Sequence, residues 1–142
     1  MGLFFKSIYL TLNHILLADY LWLKRFLNKV DSSRVLKKVK DLSFENYPNI
    51  IVHENFELLK EDRFEVDNII IDWISLLKLS QLEESLFYSD RENNRIEIPL
   101  NISLTHFFNH QAHHREQVTG AMSKLNIDFG VTDFSYFFLK NL

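Results

Sequence analysis

The sequence contains no cysteine. That absence removes disulfides, thiolate metal sites, iron–sulfur ligation and cysteine nucleophiles together, so any metal has to be held by His, Asp or Glu. Glycine and proline are scarce, with 3 Gly and 2 Pro, which leaves few helix breakers and excludes a collagen-like or linker-rich chain. There is no excess of positive charge: 16 basic groups face 19 acidic ones, a formal net charge of −3. No basic field is therefore available to draw a phosphate backbone, and nucleic acid is not expected as a direct partner. A long uninterrupted apolar run is also missing. Lys6, His14 and Asp19 break the N-terminal apolar segment, which falls short of the ~20 residues of a membrane span. It carries no small-residue cleavage site, and Lys6 stands where the myristoylation pattern requires Ser or Thr. A soluble cytoplasmic protein without a membrane partner is expected. What the chain has in quantity is apolar mass: 46% hydrophobic and 14% aromatic residues, 13 of them Phe, over 142 positions. That suffices for one core and one domain, 1–142, well outside the disordered range.

Hydrophobic periodicity predicts three long helices. The first runs from about Leu3 to Lys29, with Leu3, Leu10, Leu17 and Leu21 as one seam and Phe5, Ile8, Leu12, Ile15, Leu16, Leu23 and Phe26 covering much of the opposite side. A helix so apolar around its circumference needs neighbours on more than one side. The polar stretch Asp31–Pro48 reads as a connection with a short helical turn around Val35–Val39. A second, amphipathic helix is expected from about Ile50 to Leu77, with Val52, Phe56, Leu59, Val66, Ile70, Trp73 and Leu77 at three- and four-residue steps. Its carboxylates Glu54, Glu57, Glu61 and Glu65 form a solvated face. Ser80 with Glu83 suggests a capping box for one short turn. Leu86–Tyr88 and Arg95–Ile98 alternate around the turn cluster Asp90–Asn94, a small hairpin or an irregular loop. Pro99 suits the first turn of a third helix reaching about Leu125, with Asn126 at its end. The apolar tail, Val131 to Leu142, is expected to fold back on the bundle as a short helix. The fold class is all-α, an up-and-down antiparallel bundle that lacks one member for covering its first helix.

Four of the six histidines lie between His106 and His114. At about 100° per residue, His110 and His114 are four apart and share one face of the third helix, the spacing that lets two imidazoles meet one ion. Leu100, Leu104, Phe107, Val118, Met122 and Leu125 define the buried stripe. His114 falls within it and His110 at its edge, while His106 and His113 rotate toward solvent. An inward imidazole without a partner costs ~1–3 kcal/mol, which a metal would offset for both at once. A third ligand has to come from another helix, and His14 continues the Leu3, Leu10, Leu17, Leu21 seam where a bundle ordinarily places an apolar residue. Three histidines with a fourth position open to water form the arrangement of a catalytic metal, and imidazoles suit both Zn²⁺ and Ni²⁺. Structural readings stand beside this one: His14 as a hydrogen-bonded core residue, the His110/His114 pair as part of a histidine-rich surface, and His53, His106 and His113 as surface residues or supports. Arg115 and Gln117 are expected as solvent or loop contacts unless a supporting shell around the ligands recruits them.

The segments Leu12-Asn13-His14-Ile15-Leu16-Leu17-Ala18-Asp19, continuing through Trp22-Leu23, and Thr105-His106-Phe107-Phe108-Asn109-His110-Gln111-Ala112-His113-His114-Arg115-Glu116-Gln117 closely resemble the DinB-like, damage-inducible metalloprotein family. The closing Thr132-Asp133-Phe134 and Tyr136-Phe137 is similar to that family's C-terminal end. The resemblance covers nearly the whole chain. It implies a four-helix bundle that binds a divalent metal through His14, His110 and His114, and an activity as a metal-dependent hydrolase or as a thiol S-transferase using low-molecular-weight thiols. Two departures stand out. Glu116 replaces the glycine of the family's His-His-Arg-Gly-Gln, and the family's helix upstream of the one bearing His14 is not seen. The latter suggests an N-terminally truncated gene product, with cover from a second subunit as the alternative. The expected cofactor is a divalent metal, Zn or Ni. The expected partners are a small-molecule or thiol substrate, with a homodimer left open. The competing readings are a non-catalytic stress-response or interaction protein, and an inactive fragment.

Overall fold

A computed structural model describes residues 3–27, 29, 39, 47–48, 50–90 and 92–139. In chain order the described elements are α1 (Ile8–Phe26), α2 (Phe56–Leu76), a short 3-10 turn (Leu79–Glu83), strands β1 (Ser85–Ser89) and β2 (Arg95–Pro99), α3 (Leu100–Lys124) and α4 (Phe134–Leu139). The fold is all-α apart from the β1–β2 hairpin, and no helix among the described residues is long and apolar enough to cross a membrane.

Capping chemistry sets the helix boundaries. Ser7 caps α1, its hydroxyl accepting from Leu10 N at 3.1 Å, so Leu3 to Lys6 form a turn instead of the expected first helical turn. α2 begins at Phe56, not near Ile50, because the Asn55 side chain accepts from Glu57 N and Leu58 N. Val52 therefore leaves the predicted stripe, and Phe56, in the first turn, is half exposed. α3 ends as its sequence indicates. Asn126 adopts a left-handed φ of 55°, Asn126 N donates to Ser123 O and Ile127 N to Met122 O, both at 3.0 Å, a Schellman termination. Leu125, placed by periodicity in the buried stripe, lies past the last turn and is exposed. The 3-10 turn is closed by Lys78 N donating to Gln81 Oε1 at 2.9 Å, not by Ser80 with Glu83.

The hairpin is regular, with Leu86 opposite Ile98 and Tyr88 opposite Ile96. Asp90 shapes its turn, Oδ1 accepting from Glu92 N and Asn94 N. Leu86 points into the core, while Arg25 of α1 stacks between Trp22 and Tyr88 at 4.6 and 4.1 Å, which ties the hairpin to the C-terminal end of α1.

The core is built around α1. Every residue from Thr11 to Tyr20 except Leu12 is buried, so the apolar circumference predicted for this helix is covered within the chain. Contacts along α1 set the directions of its neighbours. Phe26 meets Phe107 while Asp19 meets Gln111, so α3 runs antiparallel to α1. Tyr20 meets Asp62 and Phe26 stacks on Trp73 at 4.8 Å, so α2 runs parallel to it. Val39, helical and fully buried in the same core, lies between the two in the chain. The rest of the turn expected around Val35–Val39 falls outside the described residues. α4 forms in the tail, but Phe134, Phe138 and Leu139 are more than half exposed instead of buried against the bundle, and Phe134 and Phe138 pair with each other at 5.3 Å.

Candidate metal centre

α1 and α3 cross so that His14 meets His110 and His114. Their ring centroids are 5.2 Å (His14–His110), 4.7 Å (His14–His114) and 4.5 Å (His110–His114) apart. One ring nitrogen of each lies within 4.8 Å of those of the other two, and this is the one such group of histidines and carboxylates among the described residues. His14 Nε2 and His110 Nε2 stand 3.2 Å apart. A cation bound tetrahedrally at ~2.0–2.1 Å spaces its ligand nitrogens about 3.3 Å apart, close to the His14–His110 separation, and a small divalent ion would draw in the pairs that stand farther apart, up to 4.8 Å.

Packing and hydrogen bonding aim these rings. His14 and His114 are buried and His110 is partly so. Phe5 lies flat on the His14 ring, centroids 4.0 Å apart, and also reaches the His114 ring at 5.6 Å; Tyr47 flanks His14 at 5.7 Å. Gln117 Oε1 accepts a hydrogen bond from His114 Nδ1–H at 3.0 Å, which leaves the Nε2 lone pair of that ring for the centre, and the Gln117 amide nitrogen donates to His113 Nε2 at 3.0 Å. This outer bond fixes both tautomer and ring orientation, the role such partners play in metal sites. Burial, together with the neighbouring imidazoles of His114, His106 and His113, pushes the His110 pKa down to about 4, and burial also lowers that of His114. Both rings are therefore neutral at physiological pH, the state in which imidazole donates a lone pair.

The other sequence candidates divide. His106 is exposed and lies against Trp22, ring centroids 5.1 Å apart, with its centroid 6.2 Å from that of His110. His113 is exposed, its ring edge-on to that of His114 at 5.0 Å and its Nε2 bonded to Gln117. Arg115 does not join the histidines: it is exposed on the adjacent face, where its charge acts on Asp19. Consecutive helical residues point about 100° apart, so adjacency to His114 in sequence did not bring it to the site. His53 is turned into α2, its Nε2 2.8 Å from Asp62 Oδ2, a carboxylate that also accepts from Tyr20.

The reading of individual residues overlooked Asn13 and Phe5. Asn13 Oδ1 accepts from Val52 N and His53 N at 2.9 and 3.0 Å, fastening the segment before α2 to the helix that carries His14. A buried Asn beside a seam histidine was the available signal. Phe5 reaches His14 because Lys6 takes a left-handed φ of 67°, a conformation costing about 1–2 kcal/mol for a residue with a Cβ, and the chain folds back over the ring. Nothing in residue spacing announces that turn. Behind the histidines lies a second polar knot. Asp19, fully buried, accepts from Gln111 Nε2 at 2.7 Å and from Arg63 of α2, whose other nitrogen reaches Asp67 at 2.8 Å. It joins α1, α2 and α3 one turn from His14 and beside His110.

The DinB family model matches residues 1–134 of the chain. No curated protein and no solved structure matches it.

Proposed function

The chain belongs to the DinB family, and from that membership and its three converging imidazoles we propose that it binds one divalent metal, Zn²⁺ or Ni²⁺, through His14, His110 and His114, and serves a hydrolytic or thiol-transfer reaction there. The observation that carries this reading is the meeting of His14 with a histidine pair 96 residues further along the chain, its Nε2 3.2 Å from that of His110. A bundle interior ordinarily fills such a position with an apolar side chain, and three imidazoles in contact are stabilised far better around a cation than against one another. When bound, the ion supplies Lewis acidity to a thiol or water that reaches it. The chain's own groups do the rest: Gln117 holds the His114 tautomer, Phe5 excludes water from one side of His14, and the Asp19 knot keeps α1 and α3 in register.

Chelator-treated protein is expected to melt below protein refilled with Zn²⁺ or Ni²⁺, since an ion bound only by the native state adds RT ln(1 + [L]/Kd), about 4 kcal/mol at a thousandfold excess over Kd. That is a rise on the order of 10 °C for a domain of this size. The gain is expected to shrink as the pH is lowered toward about 4, where His110 takes up a proton and its lone pair is lost. Melting scans with and without metal across that range check both statements. Coincident melting curves at neutral pH would contradict the proposal.

A further inference from the structure

A groove of about 770 Å³ runs between the N-terminal wall of the bundle, from Leu3 to Tyr9, and the last turns of α3, from Gln117 to Leu125. Its size falls within the usual range of small-molecule sites. Two features set its chemistry. The lining is mostly apolar, with Leu3, Ile8 and Leu125 among its walls, and the two charged groups on it are both ammonium groups, Lys6 on one wall and Lys124 on the other. Among the described residues no carboxylate lines it and neither lysine makes an ion pair, whereas Lys29 and Lys60 are paired with Glu84 and Glu57. The groove also abuts the imidazole cluster. Gln117, one of its lining residues, is the residue that bonds His114 Nδ1 at 3.0 Å.

We propose that this groove seats a small amphipathic carboxylate, its apolar body along the walls and its anionic group held by Lys6 and Lys124, one hydrogen-bonded residue away from the histidines. A neutral or cationic molecule of the same shape leaves both ammonium groups without a counter-charge, so the lysines select for the anion. The groove's role as the substrate seat of the metal centre rests on the function proposed above. Its ligand chemistry rests on the groove alone.

Octanoate is a suitable probe, with octylammonium as the charge-reversed control, titrated by calorimetry into metal-loaded and metal-free protein. Octanoate is expected to bind in both states and octylammonium in neither. Lys6→Met and Lys124→Met, which keep the apolar stems, are each expected to weaken octanoate about tenfold while leaving metal content unchanged. Absence of octanoate binding, equal binding of octylammonium, or undiminished binding by both variants would overturn the groove assignment. Protein that binds octanoate but takes up no metal overturns the metal reading only, and stoichiometric metal without octanoate binding overturns the groove only.

Discussion

Replacing His14 by alanine is expected to take bound metal from about one ion per chain to near zero, with far weaker loss on replacing the exposed neighbours His106 and His113. The asymmetry follows from geometry. His110 and His114 lie on one helix and together offer two nitrogens; the third comes only from α1, and without it the remaining pair is a chelate open to water on two sides. Disturbing an outer partner of a metal ligand typically costs ~10–100-fold in affinity, and deleting a ligand itself costs more. His14→Ala also leaves a gap beneath Phe5, which stacks on that ring at 4.0 Å, so the variant's circular dichroism has to be compared with that of the parent. His114→Ala provides the second arm. It loses metal equally while leaving the Phe5–His14 stack in place. Elemental analysis of the four single variants beside the parent checks the prediction, and retention of stoichiometric metal by His14→Ala would remove α1 from the site.

The second large effect concerns Asp19. Its carboxylate is fully buried and accepts from both Gln111 and Arg63. Asp19→Ala strands those two donors in the interior. Breaking a buried, hydrogen-bonded ion pair by deleting one partner typically costs about 3–5 kcal/mol, and because Arg63 retains Asp67 and some solvent contact the lower end applies. About 3 kcal/mol corresponds to roughly 10 °C in melting temperature for a domain of this length. Asp67→Ala, which removes the outer and far more exposed carboxylate, is expected to cost less than about 1 kcal/mol. The magnitude for Asp19 measures the orphaning of its partners, not a net gain over an apolar core. Denaturant titration of the two variants distinguishes them, and equal stabilities would show that the knot does not hold the three helices together.

The sequence discloses a good part of this architecture because helical periodicity is a local signal. The four histidines of α3 sort correctly on the wheel: His114 buried, His110 half-buried, His106 and His113 exposed. His14 stands out because a polar residue in an apolar seam is a conflict that something has to resolve. Gln117 is legible as well, three residues from His114 and four from His113 and so on their face of the helix. What escapes the sequence is whatever depends on capping or on distant contacts. Asn55 outcompetes the apolar pattern upstream of it and moves the start of α2. Arg115 is next to His114 in sequence but points to another face of α3. The bridge from His53 through Asp62 to Tyr20 spans two helices that no spacing rule connects. The tail is apolar enough to predict burial, yet a helix as short as Phe134–Leu139 leaves most of its large side chains on the surface.

X-ray absorption at the metal edge of protein loaded with one equivalent of Zn²⁺ tests the central claim most directly. Three imidazole nitrogens at about 2.0–2.1 Å, with the multiple-scattering pattern of histidine and one lighter-atom position not filled by the chain, is the predicted result. A first shell built from carboxylate oxygens, or one containing fewer than three imidazoles, would contradict it.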